Sequence, residues 1–209
     1  MVDFSPSGSA PGPGAEGLRE RETAPNLLPR DAWWDSERLT PGDVQPYYRG
    51  LVLADPVRLA EATGGAEAAR ALGSLGLPEI SALGWLDTDR ALTELAVEDG
   101  RLVVAHVHGD PALWVDLTTG RVLDSYGGTV NSSLTAFAAC LAMSDWALCL
   151  SVGRDTRGDD LMDEHYAFLA FVRSSLARID PAAAAAADAE GGTWWWRAQT
   201  EDHCYSLGA

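Results

Sequence analysis

The sequence contains no lysine. All 15 basic residues are arginines, against 31 acidic residues, and the formal net charge is −16 at pH 7. This excess of negative charge disfavours direct contact with nucleic acid, because the phosphate backbone repels it. It favours a basic protein as partner, since opposite charges steer association and match across an interface. The same charge can also serve solubility alone, so charge by itself leaves both interpretations open.

Long apolar runs are also lacking. No stretch of about 18 apolar residues occurs, so we expect no membrane span. The first residues, MVDFSPSGSAPGPG, have neither the basic nor the apolar region of a secretory signal. The only cysteines are Cys140, Cys149 and Cys204, an odd number without the spacing of a metal site. They fit a reducing cytosol, and we expect a cytoplasmic protein.

The chain is long enough for one ordinary domain. Residues 1–24 are rich in Gly, Pro, Ser and Ala and show no apolar periodicity, which predicts a disordered tail. We expect a single domain at residues 25–198 and a C-terminal tail at 199–209. Within the domain, apolar residues in phase predict a helix at 159–178, before the "IDP" stretch.

Two further helices begin at capping signals. Asp55 is a suitable N-cap before Pro56, and the Gly64-Gly65 pair interrupts the helix. The stretch GGTVNSSLTAFAACL predicts a second start, with Asn131 or Ser132 as N-cap. Its apolar residues recur at helical spacing and predict a buried face, formed by Leu134, Phe137, Ala138, Leu141 and Ala142.

A β-meander is predicted between these helices, because apolar runs alternate with EDG, GDP and TTG turns. A three-residue loop, Gly109-Asp110-Pro111, would pair Val107 with Leu113 and His106 with Trp114. One sheet face would then be wholly apolar, with Val103, Ala105, Val107, Leu113, Val115 and Leu117. The opposite face would carry Val104, His106, His108, Trp114 and Asp116.

None of the reactive side chains converges on a recognisable active site. His106 and His108 could offer two metal ligands with Asp116, but Asp116 would lie opposite Val104 and no fourth ligand is evident. Cys204 and His203 are neighbours, yet adjacent side chains on an extended chain point apart. We therefore expect no enzyme activity, no metal and no cofactor.

The order of parts resembles a known family. A helix ending in LGLPE, a meander ending in DLTTGRVLDSYGG, the NSSLTAFAACL helix and a later IDP stretch followed by tryptophan occur in that order. This order resembles the SUKH superfamily of SMI1/KNR4-like proteins, and is most similar to its bacterial SUKH-4 branch. The resemblance covers residues 66–196. It implies an α+β fold with a mostly antiparallel sheet and helices packed on one face.

The resemblance also implies a non-enzymatic immunity protein. Such a protein binds and blocks a polymorphic toxin domain, often a nuclease or a nucleic-acid deaminase. Two alternatives remain: a regulatory interaction module on the same fold without a toxin, and a small enzyme with a cryptic site.

The outward face of the meander is the predicted contact surface. Tryptophan is enriched at the centres of interfaces, and nearby acids could meet a basic toxin. We therefore predict partner contacts at His106, Asp110, Trp114 and Asp116. Alternatively, Trp114 lies beneath the aromatic segment that contains Trp33 and Trp34.

Overall fold

A computed structural model describes residues 38, 40–45, 50–79, 86–152 and 172–185, without the side chains of 146–152 and of residue 185. The predicted tails at 1–24 and 199–209 lie outside the described residues. So does the first part of the helix predicted at 159–178, whereas 172–179 are helical. The aromatic segments around Trp33 and Trp194 also fall outside, as do Cys149 and Cys204.

The N-terminal part is mainly helical. Its elements are α1 (Pro41–Val44), β1 (Leu51–Val52), α2 (Pro56–Thr63), a 3-10 turn (Glu67–Ala69), α3 (Arg70–Ser74) and β2 (Leu77–Pro78). The predicted cap of α2 is confirmed, since the Asp55 carboxylate accepts hydrogen bonds from the backbone N–H groups of Val57 and Arg58. Gly64 ends this helix in the left-handed conformation, as the glycine pair predicted.

A glycine closes the small sheet formed by β1 and β2. Gly76 has a φ of 74°, and a Cβ at this position would collide with the carbonyl oxygen of Val52. Only glycine accommodates both the backbone conformation and this approach. The glycine of the LGLP stretch therefore serves the pairing of Leu51 with Pro78.

The remaining elements build the main sheet and its helices. They are β3 (Leu86–Asp87), α4 (Asp89–Glu94), β4 (Val97–Glu98), β5 (Arg101–Val107), β6 (Asp110–Asp116), β7 (Val122–Asp124), β8 (Thr129–Asn131), α5 (Leu134–Val152), α6 (172–179) and α7 (Pro181–Ala185). The strands follow the order β3-β5-β6-β7-β8, with β4 also on β5, and every described pairing is antiparallel. The predicted α+β fold with a mostly antiparallel sheet is confirmed.

The predicted loop between β5 and β6 is wrong. Val107 pairs with Asp110, so the connection is the two-residue turn His108-Gly109. Both residues have positive φ, 51° and 92°, as a tight hairpin turn of the type I′ class requires. Glycine adopts this conformation without strain, whereas histidine does so at a cost.

The shorter turn shifts the register, so all the predicted pairs of this hairpin are wrong, and two bulges follow. Val104 is an extra residue on β5, and Ala112 is one on β6. His106 consequently pairs with Pro111, and Val103 with Trp114. Val104 is buried in the core, although strict alternation placed it on the outward face.

The core lies between one face of the sheet and the helices. The helices contribute Leu59, Leu72, Phe137, Leu141 and Leu176, and the strands contribute Leu102, Leu113, Val115, Val122 and Val130. The predicted burial of the α5 face is confirmed at Leu134, Phe137 and Leu141. Ala136 and Ala139 are buried as well, so α5 packs on nearly all sides of its first turns.

The start of α5 differs from the prediction. Ser133 is the cap, because its hydroxyl accepts a hydrogen bond from the N–H of Ala136 at 3.2 Å. Asn131 and Ser132 instead bind a buried acid: the Oδ2 of Asp180 accepts from the Asn131 amide at 2.9 Å and from the Ser132 N–H at 2.7 Å. The NSS and IDP stretches are therefore joined in the fold.

Candidate functional site

The outward face of the sheet carries a tryptophan at its centre. Trp114 on β6 lies between Val103 on β5 and Leu123 on β7, and the chain alternation places all three on the face away from the core. Val103 and Leu123 are buried, whereas Trp114 is partly exposed. We call Arg101, Val103, Trp114, Asp116 and Leu123 the outer face.

Asp116 lies at the end of the same strand, opposite Arg101. One of its carboxylate oxygens accepts hydrogen bonds from the backbone N–H groups of Thr119 and Thr118, both at 2.8 Å. These two bonds, with a smaller contribution from the charge of Arg101, hold the pKa of Asp116 below its ordinary value. Asp116 thus adds a fixed negative charge to the outer face.

The two other predicted contacts lie at the opposite end of the hairpin. Asp110 is exposed and directly follows the β5–β6 turn. His106 is only 2% exposed, and its Nε2 atom lies 4.0 Å from the Oε2 atom of Glu94 on α4. The structure therefore places Asp110 at the surface and His106 beneath it.

The histidine pair does not form the metal site that the sequence raised as a possibility. His108 belongs to the turn, while His106 lies on the strand, and Asp116 pairs with Arg101 at the far end of the hairpin. Among the described residues, no three histidine, cysteine or acidic side chains lie close enough to hold a metal ion.

Sequence reasoning missed the charged residues of α4. The Arg90 guanidinium donates from Nε to the Oε1 atom of Glu94 at 2.8 Å, and from Nη1 to the carbonyl oxygen of Gly109 at 2.9 Å. The hydrogen bond and charge of Glu94 raise the pKa of Arg90, with smaller contributions from Asp87 and Asp110. The spacing of Arg90 and Glu94, four residues apart on a helix, is the one sequence signal for this contact.

Cys140 has a structural environment. It is fully buried, and the Asn131 amide lies 3.4 Å from its sulfur. Burial raises the pKa of the Cys140 thiol far above its ordinary range. The thiol therefore stays protonated and acts as a small core residue.

The fold and the site together indicate an acidic α+β protein with a partly exposed aromatic residue on its sheet. A sequence model of the SUKH-4 immunity protein family matches residues 31–202, and the chain belongs to that family. The match confirms the resemblance and extends beyond 66–196 at both ends. Comparison with curated proteins and with solved structures gives no match.

The family assignment indicates a role in immunity against a toxin. Within the described part of the chain, no helix has both the length and the apolar character needed to cross a membrane.

Proposed function

We propose that this protein binds a toxin domain in the cytoplasm and neutralises it by protein–protein contact, without catalysis of its own. Family membership and the net charge of −16 support this proposal. Toxins that act on nucleic acids need basic surfaces, so a polymorphic nuclease or nucleic-acid deaminase domain fits an acidic inhibitor.

The outer face is the proposed contact surface, and the position of Trp114 is the main observation that supports it. Trp114 is partly exposed, whereas the residues that pair with it on the two neighbouring strands, Val103 and Leu123, are buried. A rigid aromatic side chain loses little conformational freedom on binding and offers a large contact area. Such residues dominate the energy of many interfaces.

Acidic residues at both ends of the hairpin complement this centre. Asp116 is ionised and held by the turn after β6, and Asp110 is exposed at the turn before it. In this position they act mainly on the rate of association with a basic partner, because exposed charges steer the encounter and are screened by salt.

The test uses the toxin encoded beside this gene and measures its dissociation constant by calorimetry. Trp114→Ala should weaken binding by about 2 kcal/mol, which is roughly 30-fold. Val57→Ala is the matched control, because Val57 is 65% exposed on α2, a helix outside the main sheet.

Circular dichroism should show that both variants keep the fold. If Trp114→Ala binds the toxin with full affinity, the interface does not lie on the outer face. A neighbouring gene without a toxin, together with no toxin captured from the host, would favour the regulatory module instead.

A further inference from the structure

A carboxylate cluster forms where β3, α4 and the β5–β6 turn meet. It consists of Asp87, Glu94 and Asp110 around Arg90, with His106 beneath them. Register brings the elements together, because Asp87 pairs with His106, and the next residue of β5 pairs with Asp110. All three carboxylates act on Arg90, since each of them raises its pKa.

The charges of this cluster do not balance. The cluster contains three carboxylates and one guanidinium, so its formal charges leave two negative charges without an equivalent arginine. Arg90 is already engaged, because it donates to Glu94 and to the Gly109 carbonyl. Only one oxygen of Glu94 takes part in that contact, and its Oε2 atom faces His106 instead.

The buried histidine is incompletely bonded. The 4.0 Å between His106 Nε2 and Glu94 Oε2 is too long for a hydrogen bond, and the Nδ1 atom has no hydrogen-bond partner within the described structure. A buried polar atom without a partner, as Nδ1 is here, is costly and calls for an explanation. A donor group placed beside Glu94 would lie near both its Oε2 atom and the Nε2 atom of His106, because these two atoms are 4.0 Å apart.

We propose that the carboxylate cluster is a receptor for an arginine side chain of the partner. A guanidinium offers several N–H donors in a planar fork, so one edge can serve Glu94 and His106 together. The remaining positive charge is offset by Asp87 and Asp110. The inference rests on the proposed function for the identity of the partner, whereas the receptor itself can be tested without it.

The probe is N-acetyl-arginine amide, titrated into the full chain at constant pH and ionic strength. Its neutral isostere, N-acetyl-citrulline amide, is the matched control ligand. The imidazole resonances of His106 are followed by NMR and are assigned by their loss in His106→Gln. We expect a saturable shift of the His106 resonances with the arginine probe and none with the citrulline probe.

Glu94→Gln should weaken binding of the arginine probe about three- to fivefold, the effect of a partly exposed ion pair. Glu98→Gln, the same change in β4 at the other end of β5, should leave it unchanged. Equal shifts of the His106 resonances with both probes would contradict the receptor proposal. So would binding of the arginine probe to Glu94→Gln with the same affinity as to the unmodified protein.

Toxin binding separates this inference from the proposed function. If the full chain gives no response to the arginine probe, but Trp114→Ala still weakens toxin binding, the receptor proposal alone is refuted. A specific arginine response without any toxin binding would refute the proposed function and leave the receptor standing.

Discussion

Substitution of Asp180 tests how much one buried carboxylate contributes to the stability of the fold. Asp180 is 2% exposed and connects α7 with the segment between β8 and α5. Its Oδ2 atom accepts from the Asn131 amide and the Ser132 N–H, and its Oδ1 atom accepts from the Ala182 N–H at 3.0 Å. One carboxylate thus satisfies three donors from two parts of the chain.

Asp180→Ala leaves these three donors without their acceptor. Loss of an acceptor from a buried donor costs about 1–3 kcal/mol, and removal of the carboxylate recovers part of its own desolvation penalty. The Ser132 and Ala182 N–H groups are only partly buried, so water can compensate in part. We therefore expect the free energy of unfolding to fall by about 3 kcal/mol.

The matched control is Asp55→Ala. Asp55 also caps a helix, but it is exposed and accepts only two backbone hydrogen bonds, from Val57 and Arg58. Loss of an exposed N-cap costs about 1 kcal/mol. For a domain of this size, 1 kcal/mol shifts the melting temperature by about 2–4 °C, so Asp180→Ala should melt several degrees below Asp55→Ala.

Urea unfolding followed by circular dichroism measures both free energies. A double-mutant cycle with Asn131→Ala should show coupling between Asn131 and Asp180, because the two side chains share a hydrogen bond. If Asp180→Ala costs no more than Asp55→Ala, or the cycle shows no coupling, the structural role assigned to this acid is wrong.

Two further predictions concern the core. Phe137→Ala should destabilise the fold by about 3–5 kcal/mol, whereas Tyr126→Ala should change it by less than about 0.5 kcal/mol, because Phe137 is fully buried and Tyr126 is 89% exposed. Urea unfolding measures both, and equal losses would contradict the packing. The raised pKa of Cys140 predicts that its contribution is complete below the unfolded thiol pKa of about 8.5 and is lost as the pH rises above it, by up to about 1.4 kcal/mol per pH unit. Cys140→Ala should therefore lose stability less steeply at alkaline pH than the unmodified protein, and equal slopes would contradict the burial of this thiol.

Local signals in the sequence predicted the elements whose causes are local. Asp55 and Gly64 bound α2 because capping and left-handed conformations depend on neighbouring residues. The cap of α5 was misplaced because Asn131 is recruited by Asp180, 49 positions further along the chain. The sequence around Asn131 contains no sign of that acid.

The prediction of strand register was wrong for a similar reason. Alternation correctly placed Leu113 and Val115 towards the core, since both lie on the regular part of β6. It failed at Val103 and Val104 because a bulge arises from the match between two strands rather than from either strand alone. A strand with apolar residues in a row gives period-2 reasoning no means of locating the extra residue.

The candidate site could be predicted only in part. Trp114 and Asp116 share a face, as the alternation of β6 indicated, but the contribution of α4 was missed. Arg90 reaches the β5–β6 turn at Gly109, and Glu94 approaches His106, through tertiary packing that the helical spacing of the pair does not reveal. Burial of His106 follows from the same packing.

The residues on which the family resemblance is based are buried, so they identify the fold and do not identify the toxin. Asn131, Leu134, Phe137 and Leu141 are all buried, and Asn131 binds Asp180 of the IDP stretch. These residues hold α5 against the sheet and connect it with α7, so they cannot touch a partner in the folded protein. Two of the proposed contacts, Trp114 and Asp116, lie on the outer face, away from this core. The proposed contact surface therefore predicts that substitutions at Trp114 and Asp116 change toxin binding while the fold-defining residues remain the same.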